Sequence, residues 1–160
     1  NVIFSSQRLE FDKMNILYNI SDFCINVSYA EGFGLPTLES MNSGKPIIAV
    51  KTGGLTRQVV DHRDGTENGV ALDVECRTLV GSQQVPYIYE DYTTNESTAD
   101  AMFKLYEMDA EEREKLGEKA RSYAQSEFSY DKTIDLWHES LTNLYHNWKN
   151  DYERWSLKTY

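Results

Sequence analysis

Cysteine is nearly absent from this 160-residue sequence, with only Cys24 and Cys76. Two thiols are too few for a disulfide framework or a cysteine-based metal site. Cys24 lies inside an apolar run and reads as a small core residue. No apolar stretch approaches the roughly 20 residues that a membrane-spanning helix needs. Basic residues are also scarce, 16 Lys and Arg against 26 Asp and Glu, for a net charge of −10. That balance argues against a broad surface for nucleic acid or anionic lipid. It leaves room for a small anionic ligand, because a few oriented backbone N–H groups make a local positive site.

An N-terminal signal pattern and an initiator methionine are likewise missing, and the chain opens on the strand-like NVIFSS. A fragment of a longer protein is the expectation. The Asn-x-Ser triplets at Asn19, Asn26 and Asn95 are then read as chance, and a reducing, cytoplasmic setting is expected.

What is present suffices for one core. The chain is 40% hydrophobic and 26% charged, a composition that supports a single folded domain rather than wholesale disorder. Val2 to Phe4 is a short β-prone run. QRLEFDKMNILYNISD follows, with Leu9, Met14, Leu17 and Tyr18 at near-helical spacing. FCINVS (23–28) and KPIIAV (45–50) are apolar with little alternation, as expected of parallel strands covered on both faces. Between them PTLESMN predicts a short helix, with Pro36 suited to its first turn and Gly44 to its end. Strand, helix, strand, helix, strand with short connections predicts βαβ units and a doubly wound α/β sheet.

Gly69 to Asp73 predicts one further strand, and residues 75–92 read as a hairpin-like excursion or a functional loop. Beyond Asn95 the pattern is helical. One segment over about 97–106 is expected to turn Ala101, Met102, Leu105 and Tyr106 inward. A second runs through AEEREKLGEKARSYAQSEF, whose acidic first turn complements the helix dipole. The last starts near Tyr130 and aligns Leu141, Tyr145, Trp148, Tyr152 and Trp155 on one face. That stripe has two readings, packing within this domain or docking on another.

Residues 30–44, AEGFGLPTLESMNSG, carry the chemistry. The turn at 29–35 falls after a predicted strand and before a predicted helix, where ligands of open α/β sheets bind. Gly32 and Gly34 allow close backbone approach. The N–H groups of Leu35, Thr37 and Leu38 belong to a helix start that favours an anion such as phosphate. Glu31 and Glu39 stand on either side. A carboxylate accepts two hydrogen bonds at once, which suits a vicinal diol of a ribose or hexose. A phosphate cradle flanked by two diol acceptors describes a nucleotide-sugar. Taken singly, Glu31 as a loop charge and Glu39 as a solvated helix residue remain open.

The run SYAEGFGLPTLESMNSGKPIIAVKTGG (28–54) resembles the donor-binding segment of the family 4 retaining glycosyltransferases, which have the GT-B fold. The shared features are a Glu, seven residues and a second Glu; the GFGLP turn; a Gly-x-Pro before a strand; and a Gly-Gly after it. The resemblance implies a Rossmann-like parallel sheet flanked by helices, part of the C-terminal domain of such an enzyme. More loosely it takes in residues 1–28, DGTENGVALD and 97–147. By resemblance, Glu31 is the catalytic-site residue meeting hydroxyls of the donor sugar, and Glu39 meets the ribose. Backbone amides around Gly32, Phe33, Gly34, Leu35 and Thr37, with neighbouring Leu38, would meet the diphosphate and sugar.

The same resemblance implies a nucleotide-diphosphate sugar as substrate, no cofactor and no essential metal. Transfer to an acceptor not identified by the sequence would retain anomeric configuration. The chain departs from the family in three respects. An acceptor domain is absent, an Arg and a Lys expected for the diphosphate would precede Asn1, and the acid often found after the Gly-Gly is replaced in GGLTRQVVD. Lys51 and Arg57 flank that turn and could supply positive charge near phosphate, or be solvated surface residues.

The expectation is thus an incomplete nucleotide-sugar-binding domain over 1–160, inactive alone, with 129–160 a helical extension. A missing N-terminal acceptor domain, or a dimer partner, would cover the aromatic stripe; nucleic acid is not an expected partner. Two alternatives stand beside it: a non-catalytic sugar-nucleotide binding module, and a GT-B phosphorylase.

Overall fold

A computed structural model describes residues 2–154 and 156–158. The chain forms two compact units, residues 1–125 and 126–160. In the first, α1 (Phe11–Ile20) leads into β1 (Cys24–Asn26), α2 (Leu35–Asn42), β2 (Ile47–Val50), α3 (Leu55–Val59) and β3 (Gly69–Leu72). The hairpin β4 (Cys76–Val80) and β5 (Ile88–Tyr92) follows, then α4 (Asn95–Glu107) and α5 (Ala110–Glu127).

β1, β2 and β3 pair in parallel in that order, Cys24 opposite Ile47 and Ile47 opposite Gly69. This is the alternating βαβ pattern, with α2 and α3 as the crossovers. The three strands point the same way, so the turns that follow them gather along one edge of the sheet. β2 is central and all four of its residues are buried. Side chains alternate between faces of a sheet, and the packing follows that rule. Ile48 and Val50 meet Val70, Leu72, Ala101 and Leu105 in one apolar cluster beneath α4. Ile47 and Ala49 point the other way and are equally buried.

Several expectations change. Val2 to Phe4 forms no strand, and all three side chains are exposed. Without a paired neighbour, three β-prone residues gain no ladder to hold them. β1 is half-buried along its length rather than covered on both faces. In α4 only Ala101 and Leu105 are buried, whereas Met102 and Tyr106 are exposed. Residues four apart share a face, and each flanking residue is rotated about 100° away from it. The 75–92 excursion is an antiparallel hairpin, with Cys76 opposite Tyr92 and Val80 opposite Ile88.

The second unit is dominated by α6 (Tyr130–Asp151), whose N-cap Ser129 accepts from the Lys132 N–H. Leu141, Tyr145 and Trp148 on α6, with Tyr152 just past its end, are each about half exposed. The rings follow one another along the helix, Tyr145 and Trp148 with centroids 6.4 Å apart and Trp148 and Tyr152 with centroids 5.3 Å apart. Trp155 lies outside the described residues.

Candidate functional site

The site begins at Gly34, the residue before α2. Its φ of 91° is left-handed, and a Cβ there would stand 2.5 Å from a Leu55 methyl and 2.8 Å from the Thr37 hydroxyl. Only glycine meets both demands. The turn is then locked from inside by Gln58 of α3, which is fully buried. Its Nε2 donates to the Phe33 carbonyl at 2.6 Å. The Thr37 hydroxyl sits between the Gly34 carbonyl, at 2.7 Å, and the Gln58 Oε1, with which it also hydrogen-bonds. Gln58 carries no motif label, and its role becomes visible only when α3 packs behind the turn.

The Gly-Gly of the next turn serves the same end. Gly54 N–H donates to the Glu31 carbonyl at 3.2 Å, and a Cβ on Gly54 would meet the backbone of Gly32 and Phe33 at 2.6–2.7 Å. The two turns that follow β1 and β2 are therefore stacked backbone on backbone. Gly32 differs from the other three glycines: nothing lies within 4 Å of the position its Cβ would take, and its φ is outside the left-handed range. The chain itself does not require a glycine there.

Helix geometry leaves the first N–H groups of α2 without acceptors inside the helix. Those of Leu35 and Thr37 belong to this set and Pro36 has none. Leu38 does not belong, because its N–H donates to the Gly34 carbonyl at 3.2 Å. The donor set expected from the sequence is narrowed accordingly. Phe33 and Leu35 side chains are exposed beside it.

The two carboxylates have different surroundings. Glu31 is half-buried in the turn, and its Oε2 is within 3.4 Å of the Ser28 hydroxyl, which also donates to Asn26 Oδ1 at 2.7 Å. Glu39, in the second turn of α2, accepts from the Tyr18 hydroxyl of α1 at 2.9 Å. Burial, and then the bond to Glu39, push the Tyr18 phenol far up, so it remains a protonated donor. Nearby, burial also pushes the Cys24 thiol up, which keeps it in the unreactive form. Glu39 and Tyr18 line a cavity of about 530 Å³ between α1 and α2, together with Arg8, Leu9, Asp12 and Asn15. Its size is in the range of small-molecule sites. Glu31 is not part of its wall.

Of the two candidate cations, Lys51 is paired with Asp73 at 2.7 Å on the surface. Arg57 lies in the last turn of α3, with its Nη2 3.3 Å from His62 Nε2. The hairpin, by contrast, is fastened to the rim. Asp91 N–H donates to the Tyr29 carbonyl at 2.7 Å, and the Tyr29 and Tyr92 rings lie 4.3 Å apart. The buried Asp91 carboxylate takes Arg77 Nε at 2.5 Å and Nη2 at 3.1 Å. That pairing, which outweighs its burial, holds its carboxyl below the usual carboxylate range, with a further bond from Thr52.

Among the described residues no group of three or more His, Cys, Asp or Glu is arranged to hold a metal ion. No described helix is long and apolar enough to cross a membrane.

The chain is 29% identical over 123 residues to a D-inositol 3-phosphate glycosyltransferase of Paenarthrobacter aurescens (strain TC1), covering 77% of this chain and 24% of that protein. Its fold matches the sucrose-phosphate synthase of Thermosynechococcus elongatus with a TM-score of 0.65 at 21% identity, over 87% of this chain and 29% of the other. It also matches the catalytic domain of starch synthase IV from Arabidopsis thaliana bound to ADP and acarbose, with a TM-score of 0.54 at 25% identity, over 84% and 26%. The chain spans 24% to 29% of the length of these proteins, and its parallel sheet with flanking helices has the architecture of a GT-B C-terminal domain. Residues 1–80, which hold both carboxylates and both glycine turns, match the family described as glycosyl transferases group 1. The chain belongs to the glycosyl transferases group 1 family.

Proposed function

We propose that this chain is the donor-binding part of a retaining glycosyltransferase that moves a sugar from a nucleotide-diphosphate sugar to an acceptor. The observation that carries the reading is Glu39. Its carboxylate stands in the wall of a nucleoside-sized cavity, one turn inside the helix whose N-terminus adjoins the open glycine turn. In this reading the ribose lies on Glu39. The diphosphate lies at Leu35 and Thr37, where helix-end donors favour negative charge, and the sugar lies toward Glu31. The ADP in the starch synthase structure supports a nucleotide at this kind of fold.

The anomeric carbon would exchange its bond to a diphosphate oxygen for one to the acceptor oxygen, on the same face. The acceptor proton would pass to the departing diphosphate. The barrier is then lowered chiefly by donors aimed at the leaving group as its charge grows. Glu31 orients the sugar and need not form a covalent intermediate. The activity is that of the whole protein, acting in its cytoplasmic setting and without an essential metal.

The test is a titration of the protein with UDP-, GDP- and ADP-sugars, on wild type and on Glu39→Ala. Saturable binding of one donor, weakened in Glu39→Ala, is expected. Glu31→Gln is expected to impair transfer more than donor binding, and Glu39→Gln the reverse. Absence of saturable binding to every donor would sink the proposal.

A further inference from the structure

The Tyr18–Glu39 bond is not explained by the donor scheme, which assigns no work to α1. A glutamate on a helix surface samples several rotamers, and each must be frozen when a ligand binds. Glu39 instead has one oxygen already tied at 2.9 Å to a phenol that comes from a different helix, 21 residues earlier. Both side chains are part-buried and line the same cavity. An ionised carboxylate has about four lone-pair directions. The phenol occupies one, and the others stay available to a ligand.

We propose that Tyr18 is a positioning residue: its hydroxyl holds the Glu39 carboxylate in the one orientation that can receive both hydroxyls of a ribose. This rests on the reading of Glu39 as the ribose acceptor. The competing role is structural, with Tyr18 merely attaching α1 to α2, and the two roles differ in what they do to a ligand lacking one hydroxyl. Preorganisation through Glu39 acts only on ligands that present the diol. Attachment of α1 acts on all ligands that enter the cavity.

The experiment measures, by calorimetry on the whole protein, the affinities of UDP, GDP and ADP and of their 2′-deoxy counterparts. Wild type, Tyr18→Phe, Glu39→Gln, Glu39→Asp and the Tyr18→Phe/Glu39→Gln double variant are compared. Phenylalanine keeps the ring, so the thermal midpoint should stay within a few degrees and report a preserved fold. Tyr18→Phe is expected to weaken the ribonucleotide that binds wild type about 5- to 10-fold, the scale of one ordinary hydrogen bond. Its 2′-deoxy counterpart should change little. Adding Tyr18→Phe to Glu39→Gln should cost nothing further. Glu39→Asp, one methylene short of the phenol, should lose the same discrimination with Tyr18 intact.

Equal loss for ribo- and deoxyribonucleotides, a loss that adds to that of Glu39→Gln, no effect of Tyr18→Phe, or full discrimination in Glu39→Asp would each overturn the inference while leaving the ribose role of Glu39 in place. If Glu39→Gln itself leaves the ribo/deoxy discrimination intact, or no nucleotide binds wild type, the donor reading falls and the role of Tyr18 falls with it.

Discussion

A Cβ placed on Gly53 would stand 1.8 Å from the carbonyl oxygen of Glu31. The backbone of one strand-to-helix turn thus occupies the side-chain space of the next. The same Glu31 carbonyl receives the Gly54 N–H, so the two contacts set how far the acid-bearing turn can move. The φ of 47° at Gly53 is in the left-handed range as well, where a Cβ is unfavourable by itself.

Gly53→Ala is therefore expected to destabilise the protein by about 2–4 kcal/mol, combining backbone strain and overpacking. Urea denaturation of the variant beside wild type gives the value. A change below half a kilocalorie would show that the two turns are not in register as described.

Gly32→Ala should behave in the opposite way. With nothing within 4 Å of the new methyl, stability should shift by no more than about 0.5 kcal/mol. If a diphosphate approaches this backbone, its binding should weaken about tenfold or more, the equivalent of one lost hydrogen bond to a charged group. Calorimetric titration with the nucleotide that binds wild type decides the matter. Unchanged affinity would place the ligand elsewhere.

Gln58 holds the turn from behind, so Gln58→Leu keeps the bulk and removes the polar atoms. The Phe33 carbonyl loses its 2.6 Å donor and the buried Thr37 hydroxyl loses one partner. The expected loss is about 1–3 kcal/mol, the scale of removing hydrogen bonds from buried polar groups. Amide exchange at Leu35 and Thr37 should accelerate in the variant. Wild-type exchange rates there would mean that the turn stands without Gln58.

Acid should weaken the cross-strand tie within the hairpin, between Arg77 of β4 and Asp91 of β5. Arg77 holds the folded Asp91 carboxyl below its unfolded value, which is near 3.9 for an aspartate. A depressed carboxylate contributes stability that is complete above the unfolded pKa and disappears as pH falls through the folded one. Asp61, lowered chiefly by Arg63, adds in the same direction. Thermal midpoints should change little through these groups between about pH 5 and 7 and fall below about pH 4. In Asp91→Asn the neutral-pH midpoint should be lower and the acid-dependent fall smaller. An identical acid profile in the variant would remove Asp91 from the account.

Much of this was legible in the residues. Apolar runs of four to six residues separated by Gly, Pro and Asn marked β1, α2, β2 and β3 in order, because period and punctuation are local properties. Gly44 shows the same legibility: it takes φ of 72° just beyond α2, as a glycine at a helix end does. The resemblance of residues 28–54 pointed to a glycosyltransferase of GT-B fold, and the match over residues 1–80 establishes the broader glycosyl transferases group 1 family. Met102 and Tyr106 were misplaced for a different reason. A helix shows which residues share a face, but which face meets the sheet depends on where the sheet lies.

The sequence by itself thus determined the succession of β1, α2, β2 and β3, the turn that bears Glu31, and the glycines that precede α2, since each depends on neighbours along the chain. Tertiary structure alone decided that Gln58 locks that turn and that Gly53 yields its side-chain space to Glu31. It also decided that Tyr18 reaches Glu39 and that Gly32 faces open space. These relationships bring together, or keep apart, groups many residues distant. A contact across 21 residues leaves no periodic trace in sequence, because only the packing of one helix against another creates it.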